Sequence, residues 1–267
     1  MNNRPPDAEP RPARPSIAEL RAVTQPPSVR TRAGAEHWVA SAYLRDLSPY
    51  LTRWLLAAGF SANRVTWLMI GVAALAALVT AWPTLAAAVL VVLLCQLQML
   101  LDCCDGEVAR WRKTFSPRGV YLDRIGHYTA ECGIAVALGV RVGGPHLGSV
   151  GVSLGLLLGL LIALNKVEND LVHVARHYSG LPQVRDAEEV KAPTGGLLRA
   201  ARRLARLVPF HRVFHSVELS LLILLAAVAD LWLDGAATRW LLAGLVAAAA
   251  VTLAGHLAAV LSSSRLR

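Results

Sequence analysis

The sequence predicts an all-α integral membrane protein, in which six transmembrane helices follow an interfacial amphipathic helix. Hydrophobic residues make up 55% of the 267 residues, and the mean hydropathy is +0.46. Aromatic residues contribute only 6%, so the apolar residues are mainly Leu, Ala and Val, which are typical of membrane helices. They are grouped into segments of about 20 residues, the length that crosses a bilayer as a helix.

Two segments precede the first predicted span. Residues 1–35 are rich in Pro, Arg, Ala and Glu and lack the apolar core of a signal peptide, so we expect a disordered cytoplasmic tail. Residues 36–58 intersperse apolar residues such as Trp38, Leu47 and Trp54 with Arg and Asp. This pattern predicts an amphipathic helix that lies in the membrane interface.

Six segments within residues 59–262 are long and apolar enough to cross the membrane. They cover residues 64–82, 84–104, 119–141, 148–172, 213–233 and 237–261. Turn-forming residues, among them Pro83, Gly144 and Gly235, separate the two spans of each predicted hairpin. We therefore expect a six-helix transmembrane domain over this range.

The positive charges alternate between the loops and predict the orientation of the spans. The formal net charge is +9, and the cations concentrate before the first span, after the second, in a basic loop over about residues 178–212, and in residues 263–267. Cytoplasmic loops are enriched in Lys and Arg. We therefore expect a multi-pass protein of the cell membrane with both termini in the cytoplasm. Residues 197–207 form either a second amphipathic helix or a solvated basic segment.

The same distribution of charge indicates the kind of partner. Cations that lie between apolar spans contact anionic lipid headgroups. We therefore expect membrane lipid as a partner and no nucleic acid.

Acidic residues and one histidine cluster at the cytoplasmic ends of the second and third spans. Asp102 and Asp105 are three residues apart, and Asp123 and His127 are four apart, so each pair shares one face of its helix. Several ionisable groups at membrane depth are costly and usually functional. A divalent cation relieves the repulsion between neighbouring carboxylates, which favour Mg²⁺ or Mn²⁺. We predict a metal site formed by Asp102, Asp105, Asp123 and His127.

The cysteines indicate neither disulfides nor a zinc ribbon, because the chain contains no C-x-x-C pair. A zinc site built from Cys103, Cys104 and His127 is an alternative. It would need two adjacent cysteines to point in one direction, although adjacent helical residues diverge by about 100°. We therefore favour the site with oxygen ligands.

The candidate ligands belong to a longer pattern, D-x-x-D-G-x-x-A-R-x8-G-x3-D-x3-D, with His at the last position. Its residues here are Asp102, Asp105, Gly106, Ala109, Arg110, Gly119, Asp123 and His127. The pattern resembles the signature of the CDP-alcohol phosphotransferases, also called CDP-alcohol phosphatidyltransferases. Residues 60–66, Phe-Ser-Ala-Asn-Arg-Val-Thr, are similar to the S-P-N-x-V-T segment of that family, with Ala62 in place of Pro.

The resemblance implies a reaction for the domain over residues 59–262. A hydroxyl of a polar alcohol attacks the β-phosphorus of a CDP-linked donor, which we expect to be CDP-diacylglycerol, and CMP leaves. The product is a phospholipid or a polyol phosphodiester made on the cytoplasmic face, and the resemblance also implies a homodimer. This chemistry needs mainly charge stabilisation and positioning, which metal ions supply.

The resemblance also assigns roles to residues. Asp102, Asp105 and Asp123 would hold the metal ions. The nucleotide would be bound by Asp105, Gly106, Ala109, Arg110 and Gly119, although Arg110 is alternatively only a topology charge. Two other functions stay open: a catalytically silent homologue that binds nucleotide, and a transporter. A transporter would favour discontinuous helices or an inverted repeat, which the sequence does not suggest.

The last position of the signature departs from the family. There an Asp serves as a metal ligand and as the base that takes the alcohol's proton, whereas this chain has His127. Neutral imidazole can bind a metal ion or accept a proton. Because it lacks the negative charge that Asp would bring to the site, we expect either two metal ions or only one. We predict that Glu131, four residues further along the same face, orients the His127 ring. Alternatively, Glu131 pairs with a cation on the fourth span.

A polar stripe at the end of the fourth span and the start of the fifth is a candidate acceptor site. The residues predicted to grip a phosphate or hydroxyls are Lys166, His173, Arg176 and Arg212. Polar residues within spans usually face the interior of the bundle. The alternative is that they form helix–helix hydrogen bonds or are snorkelling cations.

Overall fold

The computed structural model describes residues 11–30, 37–181, 210–262 and 266, and these residues contain helices and no strand. Eight of the helices in the described residues have two or more turns. They are α1 Ile17–Thr24, α2 Arg45–Ala57, α3 Ala62–Thr80, α4 Leu85–Arg112, α5 Pro117–Gly143, α6 Val150–Tyr178, α7 Ser216–Leu233 and α8 Ala236–Ser262. Shorter helical turns cover Pro27–Arg30, Ala40–Leu44 and Phe210–Phe214. The predicted all-α fold class is confirmed.

Five of the described helices, α3, α4, α6, α7 and α8, are long and apolar enough to cross a membrane. They correspond to five of the six predicted spans and make the chain a multi-pass membrane protein. The third predicted span is α5, which has 27 residues but is not among these five. Polar and charged side chains, including His127, Glu131 and Arg141, lower its hydropathy. The count of six spans therefore stays a prediction.

The predicted interfacial segment is helical from Ala40 to Ala57. One side of it is buried, with Leu55 and Leu56 each 1% exposed, whereas Tyr50 and Trp54 on the other side are exposed. This division is typical of an amphipathic helix with aromatic residues facing the membrane interface. Its position in the interface stays a prediction.

The structure differs from the expected disordered tail at α1. Ser16 caps this helix, because its side chain accepts a hydrogen bond from the Glu19 N–H at 3.2 Å, while its own N–H donates to the Glu19 carboxylate at 2.8 Å. This reciprocal pair is a capping box. Its hydrogen bonds hold the pKa of the Glu19 carboxyl below the usual value. Leu20 is fully buried in a core with Leu55 and Leu56, and this burial offsets the entropy of ordering the segment.

The chain divides into two compact units. The first lies within Met1–Ala76 and Leu90–Ala130, and the second within Ala77–Val89 and Glu131–Arg267. The first unit has its own apolar core of buried residues from α1, α2, α3 and α4. These residues are Leu20, Leu55, Leu56, Val65, Met69, Leu101, Cys104, Val108 and Trp111.

The second unit contains a seam of glycines between α5 and α6. A Cβ at Gly139 would lie 2.7 Å from the Cα of Gly155, and a Cβ at Gly155 would lie 2.6 Å from the Cα of Gly139. Small residues of this kind let membrane helices approach at backbone distance. The predicted amphipathic segment 197–207, together with most of the basic loop, lies outside the described residues.

Candidate active site

Three of the four predicted metal ligands lie together in the first unit. Nε2 of His127 on α5 lies 3.2 Å from Oδ1 of Asp102 on α4 and 3.6 Å from Oδ1 of Asp123. One ligand atom from each residue falls within 4.8 Å of the other two. The three side chains are between 23% and 39% exposed. Two carboxylates and an imidazole in this arrangement have the chemistry and spacing to hold a divalent cation.

The geometry reflects helix periodicity on two neighbouring helices. Asp123 and His127 are one helical turn apart on α5, so their side chains lie on the same face. Asp102 lies in the last part of α4, where the chain approaches the short connection between α4 and α5. The connection is only four residues long by these bounds, from Lys113 to Ser116, which keeps the two helix ends near each other.

Asp105 has a different immediate partner. Its Oδ2 accepts a hydrogen bond from Thr66 Oγ1 at 2.7 Å, and it is not in the group of three ligand atoms described above. Thr66 is the last residue of the segment 60–66 that resembles the family pattern. The hydrogen bond ties the second acid of the signature to α3, one turn away from Asp102 along α4.

The predicted nucleotide-binding residues lie next to these acids. A Cβ at Gly106 would lie 3.1 Å from Nη1 of Arg110, and one at Gly119 would lie 3.3 Å from Oδ1 of Asn63. Each glycine therefore lets a polar side chain approach the helix backbone closely. Ala109, on α4 with Gly106, is partly exposed.

Arg110 is partly engaged. Its Nε donates to the carbonyl oxygen of Thr24 at 2.6 Å. Its Nη2 is a buried donor with no hydrogen-bond partner among the described residues. A buried donor without an acceptor costs free energy, so this guanidinium has an unused hydrogen-bonding group beside Gly106.

Sequence reasoning missed the role of Glu107, which lies inside the signature. Glu107 is fully buried, and its carboxylate accepts hydrogen bonds from Ser48 at 2.5 Å, Thr52 at 2.7 Å and Gln25 at 2.8 Å. Buried charges are stable only when they are hydrogen-bonded or paired. The signal in the sequence was an acidic residue just after the predicted second span, inside the signature between Gly106 and Ala109. Its partners come from distant segments and could not be read from the sequence.

The family assignment follows from a comparison made over the same region. A family model described as CDP-alcohol phosphatidyltransferase matches residues 54–204, which is more than half of the chain. The chain belongs to this family. A search of curated proteins found no match. Members of this family transfer phosphatidyl groups from CDP-alcohol donors to alcohol acceptors in membranes, and they are typically dependent on divalent metals.

Glu131 has a partner on another helix. Its Oε2 lies 2.9 Å from Nζ of Lys166 on α6, and the Glu131 side chain is only 5% exposed. This contact is the alternative considered for Glu131, a pair with a cation of the fourth span. The pair with Lys166 agrees with that alternative. The orientation of His127 by Glu131 stays a prediction without this support.

The candidate acceptor residues are spread along the second unit. Lys166 is held in the ion pair with Glu131, and Arg176 on the same helix is 9% exposed. His173 is exposed on α6, and Arg212 is partly buried in the turn Phe210–Phe214. Their binding to an acceptor stays a prediction.

One histidine that sequence reasoning did not single out, His256, lies beside this stripe. Nδ1 of His256 on α8 lies 3.3 Å from Oδ1 of Asn165 and 3.3 Å from Oε2 of Glu168, both on α6. These contacts are the helix–helix hydrogen bonding expected under the alternative interpretation of the stripe. The signal in the sequence was the one histidine of the mostly apolar last predicted span.

Proposed function

We propose that this chain is an active, metal-dependent CDP-alcohol phosphatidyltransferase on the cytoplasmic face of the cell membrane. It transfers a phosphatidyl group from CDP-diacylglycerol to a polar alcohol and releases CMP. The observation that carries the proposal is the meeting of Asp102, Asp123 and His127 within 4.8 Å, inside the region that the family model matches. An isolated acidic residue at a helix end would not support the proposal. Here three possible metal ligands lie together, and the chain that contains them belongs to a family of metal-dependent transferases.

The residues present fit a divalent cation. Asp102 and Asp123 offer carboxylate oxygens and His127 offers Nε2, and Asp105 lies one helical turn from Asp102. Hard oxygen ligands favour Mg²⁺ or Mn²⁺. When bound, such an ion neutralises the negative charge of the diphosphate and of the transition state. Because His127 contributes no negative charge when neutral, we propose one or two ions.

The nucleotide side of the site is formed by α4. Gly106 lets the Arg110 guanidinium approach the helix backbone closely, and this guanidinium has an unpaired nitrogen there. A guanidinium recognises phosphate oxygens through geometrically defined hydrogen bonds. We assign the CDP moiety of the donor to this side, with Asp105 and Gly119 at its border.

His127 is proposed as the base of the reaction. The proton of the acceptor hydroxyl moves to Nε2 of the neutral imidazole as the alcohol oxygen forms a bond to the β-phosphorus of the donor. The bond from that phosphorus to the oxygen of CMP breaks, and CMP leaves with the electron pair. The products are a phosphodiester and CMP, and the proton on His127 is then returned to solvent. The same nitrogen cannot bind a metal ion and accept this proton at once, so in this proposal Asp102 and Asp123 hold the ion during the reaction and Nε2 of His127 is left to accept the proton.

Two features of the molecule are proposed on sequence grounds. The alternation of basic and uncharged loops supports termini and active site on the cytoplasmic side. The homodimer rests on the family resemblance alone.

The test is CMP release by the purified, lipid-reconstituted protein. We expect CMP to form from CDP-diacylglycerol only when a polar alcohol and Mg²⁺ or Mn²⁺ are both present, with glycerol phosphate, inositol phosphate and serine as the first acceptors to compare. A protein that binds the donor but releases no CMP with any acceptor would instead be the catalytically silent homologue. That alternative is favoured by one observation, the replacement of the last signature Asp by His127.

A further inference from the structure

The segment Arg11–Arg30, which we call the N-terminal strap, contacts the signature helix although it precedes the family match. The match begins at residue 54, so the family comparison assigns nothing to this segment. The strap contains α1, and the carbonyl oxygen of Thr24 at the end of α1 accepts the 2.6 Å hydrogen bond from Nε of Arg110. The last carbonyls of a helix lack intrahelical donors and carry partial negative charge. Such a carbonyl is a suitable acceptor for a guanidinium.

The first residues of the strap are attached to the end of α4. Nη1 of Arg11 donates to the carbonyl oxygens of Arg110 and Trp111 at 3.2 and 3.0 Å. The guanidinium also lies over the Trp111 ring, 5.2 Å from its centroid. In return, Nε1 of Trp111 donates to the carbonyl oxygen of Pro12 at 3.1 Å. Arg11 therefore caps carbonyls that the end of α4 leaves unpaired and stabilises it by a favourable charge–dipole interaction.

The other end of the strap is attached through Gln25. Its Nε2 donates to the carbonyl oxygen of Arg45 at 2.6 Å and to Oε1 of Glu107 at 2.8 Å. Pro49 has no N–H with which to pair the Arg45 carbonyl inside α2, so Gln25 supplies the missing donor. Thr24, which holds Arg110, thus lies directly before an anchored residue.

Between these two anchors, the strap restricts the side chain of Arg110. With Nε fixed on Thr24, Nη1 and Nη2 lie only 3.1 and 3.2 Å from the position of a Cβ at Gly106, closer than an ordinary van der Waals contact, and Nη2 has no hydrogen-bond partner among the described residues. A free arginine side chain would lose about 2 kcal/mol of conformational freedom on binding a ligand. An arginine that is already held loses less, which is the general benefit of preorganisation.

We propose that the N-terminal strap is a positioning element for the donor nucleotide, which holds Arg110 beside Gly106 so that its free Nη group meets a phosphate of the CDP-linked donor. The inference rests on the proposed function, because it needs a phosphate ligand at this place. The strap itself touches no reacting atom. Its effect is on the affinity for the donor and not on the chemical step.

The test is a double-mutant cycle between the strap and Arg110. Arg11→Ala combined with Ser16→Ala removes the cap of α4 and the cap of α1 while leaving the buried Leu20 and Gln25 in place. We expect the KM for the CDP-linked donor to rise about three- to tenfold, with kcat changed less than about twofold. In an Arg110→Ala background the same pair of substitutions should change KM no further. Arg14→Ala is the matched control, since this exposed arginine of the strap makes no hydrogen bond within the described part of the chain.

A second measurement tests whether ligand binding at Arg110 stabilises the strap. Binding of CDP with Mg²⁺ should slow amide hydrogen exchange in Ile17–Thr24 of the wild-type protein, and this protection should be lost in Arg110→Ala. One outcome would contradict the inference but not the proposed function. In it the wild type releases CMP, but the strap substitutions either leave the donor KM unchanged or raise it equally with and without Arg110→Ala. The strap would then not be coupled to Arg110. A wild type that neither binds nor consumes a CDP donor would overturn the proposed function, and the inference with it.

Discussion

At the residue scale, helix periodicity was sufficient to predict that Asp102, Asp123 and His127 come together in the candidate metal site. The spacings of Asp102 with Asp105 and of Asp123 with His127 fixed which side chains share a face, and the structure brings Asp102, Asp123 and His127 together. The hydrogen bond from Thr66 to Asp105 could not be predicted from spacing, because it depends on how α3 packs beside α4. The partner of Glu131 was likewise decided by packing between α5 and α6.

The role of His127 gives the sharpest prediction for a single residue. His127→Ala should lower kcat by about 100-fold or more, because loss of a general base typically costs that much, with the donor KM little changed. His127→Asp restores the family signature and should retain activity within about tenfold of the wild type. His177→Ala, at an exposed histidine near the end of α6, is the control and should behave as wild type.

The measurement is the initial rate of CMP release at saturating donor and acceptor. An alanine variant that turns over at the wild-type rate would show that His127 is not the base. A variant that instead requires a higher metal concentration at unchanged kcat would assign His127 to the metal ion.

At the scale of elements, the length of the apolar segments predicted the long helices, whereas the composition of the N-terminal segment did not predict helix α1. Segments α3, α4, α6, α7 and α8 coincide with predicted spans because their hydropathy and length determine that they are helical in a membrane. Helix α1 was missed because the composition of residues 1–35 is polar and rich in proline. The Ser16–Glu19 capping pattern was present in the sequence, and it would have identified the start of this helix.

The glycine seam gives a prediction about one pair of helices. Gly155→Val should lower the melting temperature and the folded yield of the detergent-purified protein, because the new side chain meets the backbone of Gly139. Overpacking of this kind typically costs about 1–3 kcal/mol or more. Gly244→Val on α8 is the matched control, since a Cβ there meets nothing within 4 Å, and it should leave both quantities nearly unchanged. Equal stability of the two variants would show that α5 and α6 do not require this close contact.

At the scale of the whole molecule, the distribution of polar residues among the spans explains both what was predicted and what was not. The overall composition predicted a multi-pass membrane protein, and five apolar helices agree with it. Helix α5 differs because it carries the second half of the candidate site together with Glu131, whose charge is paired with Lys166. Charged groups within a span are tolerated when they are paired or directed away from lipid. An even number of spans, which both termini in the cytoplasm require, depends on α5 crossing the membrane.

The central claim is that Asp102 on α4 and Asp123 on α5, beside the imidazole of His127, hold a divalent ion for phosphatidyl transfer. The most direct measurement is CMP release by the protein after removal of metal with EDTA, followed by titration with Mg²⁺ or Mn²⁺, for the wild type and for Asp102→Asn and Asp123→Asn. We predict no CMP without metal, saturable recovery in the wild type, and rates at least about 100-fold lower in both variants. Metal-independent release of CMP, or a wild-type rate in Asp102→Asn, would contradict the claim.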